Sequence, residues 1–118
     1  MIKPKSRVEL KEIVENTIKE EGIRADLNYI DTSLVTDMSG LFKNSQFNGR
    51  IDKWNTSGVT DMGGMFAGSN FNGDIGKWDV GHVRNMCYMF KKSAFNQDIS
   101  NWNTGNVENI TQMFCSSQ

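Results

Sequence analysis

The amino-acid sequence predicts an α/β fold of the solenoid type, with about four 24-residue coils of short strands plus helical turns and an N-terminal capping helix. Two observations carry this prediction: apolar residues recur with a period of 24, and the first 22 residues lie outside that period. The chain of 118 residues suits a single domain. We therefore expect a helical cap over 1–22 and solenoid repeats over 23–46, 47–70, 71–94 and 95–118, the first of them degenerate.

The period of 24 is carried by apolar side chains. Segments 47–70 and 71–94 share 11 of 24 residues without a gap, and all three Trp lie on the repeat together with six of the seven Met. Ordering the backbone of 24 residues costs more free energy than the burial of about seven apolar side chains provides. A single repeat is therefore not stable without its neighbours. We therefore expect the repeats to stack and these side chains to form the core. The predicted core ladders are Phe47, Phe71 and Phe95; Ile51, Ile75 and Ile99; Trp54, Trp78 and Trp102; Val35, Val59, Val83 and Val107; Met38, Met62, Met86 and Ile110; and Phe42, Phe66, Phe90 and Phe114.

Each repeat also has a predicted backbone course. The period lies in the leucine-rich-repeat range, where a unit combines a strand with a short helical piece. A short strand is expected over 59–62, and a helical turn over 64–68 because Met62, Met65 and Phe66 have i, i+3, i+4 spacing. One Asp or Asn per repeat is expected to close a turn by accepting nearby backbone N–H groups. These turn residues are Asp31, Asn55, Asp79 and Asn103.

The first 22 residues have the pattern of an amphipathic helix over 6–21. Ser6 and Glu9 have the spacing of a capping box, and Gly22 is a stop signal. Such a helix is expected to cover the open end of the core. The alternative is a helix that binds a partner or a membrane surface, although its five Glu disfavour an anionic membrane. The apolar stripe consists of Leu10, Ile13, Val14 and Ile18.

The two ends of the repeat region differ. In 23–46, Ile23, Leu27 and Ile30 replace Phe, Ile and Trp, and we expect these smaller side chains to point inward as well. No closing element follows Phe114. The last repeat is therefore expected to be exposed, or to be covered by a partner, further sequence or a second copy in self-association.

No residue pattern typical of catalysis, a cofactor or a metal stands out. His82 is the one histidine and is expected in an exposed turn, and no glycine-rich phosphate loop precedes a long helix. Cys87 and Cys115 fall on different repeat positions, so both are expected to be free thiols. A net charge of -1 without a basic stripe argues against nucleic acid. Because no long apolar run is present, we expect no membrane insertion. No signal peptide is visible, which favours the cytoplasm, but the location is left open.

Polar residues recur beside the apolar ones. One carboxylate or amide per repeat precedes the methionine ladder, and such neighbours would stand about 5 Å apart in stacked strands. Adjacent carboxylates could share a calcium ion, but the change from Asp to Asn along the chain favours a polar ladder. A second, asparagine ladder is expected to be buried or half-buried and to bond backbone groups of its own and the next repeat. The first ladder comprises Asp37, Asp61, Asn85 and Asn109, and the second Asn48, Asn72 and Asn96.

Two segments carry a resemblance to a known family, FNGDIGKWDV over 71–80 and DTSLVTDMSGLF over 31–42. Over 27–118 the chain resembles the BspA-like leucine-rich-repeat surface proteins of bacteria, in the Met-, Phe- and Trp-rich variety found in mycoplasmal lipoproteins. The resemblance implies a right-handed, leucine-rich-repeat-like solenoid that serves adhesion or protein binding, usually at the cell surface, without catalysis.

The predicted function is that of a non-catalytic protein-binding or adhesion module of a bacterial repeat protein. A small intracellular adaptor or inhibitor, as from a mobile element, and a self-assembling structural unit are the alternatives. Solenoids bind through long regular surfaces, so residues that vary between repeats beside the fixed apolar positions are the candidate face. This candidate binding face consists of Thr36, Asp37, Thr60, Asp61, Arg84, Asn85, Glu108 and Asn109.

Overall fold

The computed structural model describes residues 2–114 and has one helix among them, α1 (Arg7–Glu21). The Ser6 side chain accepts the backbone N–H of Glu9 at 3.2 Å and begins the helix. Gly22, with a φ of 93°, ends it, and its N–H donates to the carbonyl of Ile18 at 2.7 Å. The helix therefore has the predicted bounds to within one residue, because both end signals are local.

One face of α1 packs on the first repeat. Leu10 and Val14 are buried in the common core. Thr17 is also buried, and its hydroxyl lies 2.6 Å from that of Tyr29, which holds the helix to the chain that follows it. The remaining residues of the predicted stripe, Ile13 and Ile18, are partly buried.

The β-type pairing of the described residues consists of isolated parallel bridges, without a strand or a sheet. The predicted solenoid of four coils with short strands and helical turns is therefore wrong: 59–62 contributes a single bridge residue and 64–68 is a series of turns. Equivalent residues of successive 24-residue repeats nevertheless lie side by side. Four bridges join residues 24 apart, Asp26 to Arg50, Asp37 to Asp61, Asp61 to Asn85 and Asn85 to Asn109, and a fifth joins Ile2, which precedes the repeats, to Ile30.

The backbone hydrogen bonds explain why neither regular element forms. The N–H groups of Met62, Gly64 and Phe66 donate to carbonyl groups 23 residues later, whereas those of Met65 and Ala67 donate to carbonyl groups three residues earlier. An α-helix would direct every N–H to the carbonyl four residues earlier, and a strand ladder would leave no such local turns. Over 62–68, every second backbone N–H thus joins this repeat to the next one, and the residues between them fold into tight turns.

These turns require left-handed backbone at two positions of the repeat. Gly64 and Gly68 have φ of 63° and 66°, and their equivalents Tyr88 and Lys92 have φ of 58° and 56°. Such residues interrupt a right-handed helix, so the predicted helical turn cannot form there. The same two positions are occupied by Gly40, Asn44 and Gln112 in the other repeats, with φ of 62°, 57° and 51°.

Exchanging glycine and non-glycine residues at these positions should change stability in opposite directions. We expect Lys92→Gly to raise the free energy of unfolding by about 0.5–1 kcal/mol, because it relieves left-handed strain at an exposed residue. We expect Gly64→Ala to lower it by about 1–2 kcal/mol. A Cβ at Gly64 would meet no atom within 4 Å, so this loss would measure backbone strain alone. Urea unfolding checks both, and changes of the same sign would contradict the assignment.

The core contains aromatic and thioether side chains stacked in register, together with aliphatic ones. Phe66 lies between Phe42 and Phe90, with ring centroids 5.6 and 5.7 Å away and nearly parallel planes. The rings of Trp54 and Trp78 stack at 6.5 Å. Each indole N–H also donates to a carbonyl of the preceding repeat, so the tryptophans join the repeats through polar bonds as well. These bonds run from Trp54 to Leu27, Trp78 to Ile51 and Trp102 to Ile75, at 2.9–3.0 Å.

Side-chain burial differs from the prediction in the last described repeat and at the start of the first. All predicted ladder residues from 35 to 95 are buried, as is Trp102, whereas Ile99 and Val107 are partly buried. Ile110 is 62% exposed and Phe114 46% exposed, because no later repeat within residues 2–114 packs against them. Ile23 is also 46% exposed, so its predicted inward position is wrong, and Ala25 is buried beside it instead. Leu27 and Ile30 are buried.

Candidate functional site

Half of the candidate binding face closes turns. The side chains of the first polar ladder each accept, through Oδ1, the backbone N–H of the residue two positions later, at 2.8–3.0 Å. Asn85 also donates from Nδ2 to Oδ1 of Asp61 at 3.1 Å, which joins two repeats. Within residues 2–114, no three His, Cys, Asp or Glu side chains lie close enough to hold a metal ion together. The ladder residues are Asp37, Asp61, Asn85 and Asn109.

The other half of the face is an exposed row on a well-bonded backbone. We call Thr36, Thr60, Arg84 and Glu108 the polar row; all four are exposed. The carbonyl groups of the first three each accept two N–H groups from the next repeat, at 2.7–3.4 Å. The backbone under the row is thus held in place, while its side chains change from hydroxyl to cation to anion along the repeats.

A shallow hollow of about 350 Å³ lies along the polar row. It is lined by Thr60, Arg84 and Glu108 together with His82 and Asn106. The His82 ring places Nδ1 3.0 Å from the carbonyl of Ser57, and Asn106 donates to the carbonyl of Gly81 at 2.7 Å. His82 is exposed in a turn, as predicted, and its bond is to backbone rather than to a nucleophile.

A larger groove, of about 720 Å³, was not expected from the sequence. It forms where repeat 47–70 has small residues and the flanking repeats have longer ones at most of the equivalent positions, Lys43, Asn44, Tyr88, Lys91 and Lys92. We call it the glycine groove: Gly63, Gly64, Ala67 and Gly68 line its middle. A Cβ at Gly68 would overlap Oδ1 of Asn44, and one at Gly63 would lie 2.7 Å from Nδ2 of Asn85, so larger residues cannot enter without displacing these neighbours. The sequence contrast of GGMFAG over 63–68 with SGLFKN and CYMFKK in the flanking repeats was the available signal.

Cations surround the glycine groove. Lys43 lies on one flank, Lys91 and Lys92 lie on the other, and Arg7 of α1 joins them beside the first repeat. Arg7 is held in place because its Nε donates to the carbonyl of Ser39. Tyr88 provides an aromatic side chain on the second flank, with the Lys91 ammonium 5.1 Å from its ring centroid. The groove thus combines small middle residues, an aromatic flank and four positive charges.

Cys87 and the asparagine ladder complete the polar inventory. Cys87 is a free, half-buried thiol that lines the glycine groove, while Cys115 lies outside the described residues. Asn72 and Asn96 each donate a backbone N–H to the Oδ1 of the equivalent residue one repeat earlier, at 2.9 and 2.7 Å. Asn48 is half-buried as predicted, but Asn72 and Asn96 are exposed, so the predicted burial of the ladder is wrong for these two. The predicted turn residues Asp31, Asn55, Asp79 and Asn103 all accept a backbone N–H, as predicted, at 2.9–3.1 Å.

The shifted pKa values belong to groups outside both surfaces, three carboxylates and Arg50, whose pKa is raised by its hydrogen bonds to Asp52. The Asn28 amide, donating to the Asp52 carboxylate at 2.9 Å, is the main cause that lowers the pKa of Asp52. Hydrogen bonds from Ser33 lower the pKa of Asp31, and those from Ser100 lower the pKa of Asp98. A lowered pKa keeps these carboxylates ionised to lower pH than usual, which fits hydrogen-bond acceptors rather than proton donors.

The comparisons with known proteins give one family. A family model described as "Mycoplasma protein of unknown function, DUF285" matches residues 8–118. No curated protein and no solved structure matches the chain. The resemblance to the BspA-like proteins stays a prediction. No helix among residues 2–114 has the length and apolar character needed to cross a bilayer.

Proposed function

The chain belongs to the DUF285 family, and we propose that it is a non-catalytic module that binds a protein partner through the polar row. The observation that carries the proposal is that the two residues which each repeat contributes to the candidate face have different roles. One residue of each pair closes a turn, while its neighbour in the polar row projects its side chain from a backbone held by the next repeat. On a surface of this kind the exposed side chains differ between repeats, while the backbone that supports them stays the same.

The chemistry of the row suits a polar protein surface of mixed charge. Arg84 and Glu108 present opposite charges on neighbouring repeats, and both line the shallow hollow with Thr60. Charged pairs across an interface favour one partner over another more than they add affinity. We therefore infer a partner that places an acidic group near Arg84 and a basic group near Glu108.

The test compares two triple variants as baits for proteins from extracts of the source cells. We expect Thr60→Ala, Arg84→Ala and Glu108→Ala together to reduce the captured partner at least tenfold, since a few residues carry most interface energy. Replacing Lys53, Lys77 and Asn101 by Ala is the matched control, because these exposed residues also occupy one equivalent position in three repeats. The captured protein is then titrated directly against both variants.

Two results of this experiment would overturn the proposal. Equal binding of the partner by the polar-row variant and the wild type would show that the row is not the interface. Equal loss in both triple variants would show a binding mode without a defined surface. Urea unfolding of both variants separates loss of contact from loss of structure.

A further inference from the structure

The four cations of the glycine groove have no acidic partner among residues 2–114. Among the described residues, Arg7, Lys43, Lys91 and Lys92 form no ion pair with an Asp or Glu oxygen within 4.0 Å. Asp61 is the one acidic side chain that lines the groove, and its Oδ1 already accepts two hydrogen bonds. Four positive charges therefore face one negative charge, in a chain whose net charge is -1. This local excess of positive charge is compatible with an anionic ligand.

The shape of the groove selects an extended ligand. The middle repeat contributes Gly63, Gly64, Ala67 and Gly68, so a bound backbone can approach closely along it. The groove is three repeats wide, so a chain that runs along the middle repeat has one flanking repeat on each side, about 5 Å away. Lysines stand on both flanks of this path, where they reach side chains that leave an extended chain on either side.

The single aromatic residue argues for a peptide rather than a single-stranded nucleic acid. Tyr88 is the aromatic residue lining the groove, whereas single-stranded nucleic acids need a series of aromatic platforms for successive bases. Lys43 belongs to one flanking repeat and Lys91 and Lys92 to the other, about 10 Å of paired backbone apart, so the lysines enter the groove from separate sides. Separate carboxylates on one short chain match this dispersed arrangement best.

We propose that the glycine groove binds an extended acidic peptide segment, with Arg7, Lys43, Lys91 and Lys92 pairing with its carboxylates and the backbone lying over the glycines. This site is separate from the polar row and does not depend on the function proposed for that row. It is a binding site for Asp- or Glu-rich sequence, and Tyr88 provides an apolar contact on one flank.

Ala67→Lys is the decisive variant for this proposal. Lysine occupies the equivalent positions 43 and 91, so the repeat accommodates it, but at position 67 its side chain would fill the middle of the groove. Diffuse attraction would make a fifth cation strengthen binding of an acidic peptide. Binding within the groove predicts at least a tenfold loss instead. The probe is a fluorescein-labelled peptide of six glutamates, measured by fluorescence anisotropy at low ionic strength.

Two double variants that remove lysine charges test the proposal even if the Ala67→Lys variant does not fold. We expect Lys43→Gln with Lys91→Gln to weaken peptide binding about tenfold, because each exposed ion pair contributes about two- to fivefold. Lys53→Gln with Lys77→Gln removes the same charge from exposed sites outside the groove and should change binding less than twofold. The polar-row variant should bind the peptide as the wild type does.

Four outcomes would overturn the proposal. They are no measurable binding of the peptide to the wild type; equal or tighter binding by Ala67→Lys; equal losses in the two lysine pairs; and loss of binding in the polar-row variant. A sulfated oligosaccharide or a single-stranded oligonucleotide of the same charge that binds tenfold more tightly than the peptide would also replace it as the ligand.

Discussion

Replacing Phe66 by alanine is expected to lower the free energy of unfolding by about 3–5 kcal/mol, the usual cost of removing a buried Phe. Phe66 is fully buried at the centre of the aromatic core. Its ring centroid lies 4.7 Å from that of Phe71 and 6.3 Å from that of Trp78, in addition to its stacking on Phe42 and Phe90. Four rings would lose a partner at once, and the cavity would open between repeats rather than at a surface that can collapse.

The matched control is Phe114→Ala at the equivalent position of the last described repeat. Phe114 stacks on Phe90 at 5.2 Å, but 46% of it is exposed, so its removal should cost about half as much. Urea unfolding of both variants, followed by tryptophan fluorescence, gives the comparison. Equal losses of unfolding free energy would show that a ring at the centre of the stack contributes no more to stability than a ring at its edge.

Gly49→Ala is expected to lower the free energy of unfolding by about 2–3 kcal/mol through overpacking. A Cβ at position 49 would overlap the backbone carbonyl oxygen of Ala25 and lie 2.8 Å from the carbonyl carbon of Arg24. The neighbouring Arg50 donates its N–H to that same Ala25 carbonyl at 3.1 Å and accepts from the N–H of Leu27 at 2.9 Å. A methyl group there would push the first repeat away from the second and lengthen these bonds.

Gly58→Ala is the control for this prediction. A Cβ at Gly58 would meet only the carbonyl oxygen of Ser33, at an ordinary 3.7 Å, and the equivalent positions carry Leu34, His82 and Asn106. We expect a change of less than about 1 kcal/mol, in the stabilising direction, because alanine reduces the entropy of the unfolded chain. Equal destabilisation by the two substitutions would show that the close approach at Gly49 has no special cost.

The two proposed surfaces are neighbours on the molecule. Asp61 and Asn85 line the glycine groove, and each directly follows a residue of the polar row in the chain. These turn-closing side chains therefore separate the row from the groove. The triple variant of the row and the Ala67→Lys variant distinguish the surfaces, because neither substitution touches residues of the other.

The sequence alone determined α1 and the membership of the core. Capping at Ser6 and Gly22 is local, and a period of 24 in apolar residues identifies the side chains that cannot all remain in water. The exceptions, Ile23, Ile110 and Phe114, lie at the edges of the described repeats, where burial depends on what packs next to a residue rather than on its own type.

Only the tertiary structure decided the backbone course and the glycine groove. A backbone N–H is equally satisfied by a carbonyl three residues earlier or by one 23 residues later, so apolar periodicity does not distinguish strands and helical turns from the bridged turns found here. Left-handed backbone at Tyr88 and Lys92 is likewise imposed by the neighbouring repeats, since neither residue type favours it. The groove arises because small residues of one repeat lie between long residues of its two neighbours, a juxtaposition that exists only when residues 24 apart are brought side by side.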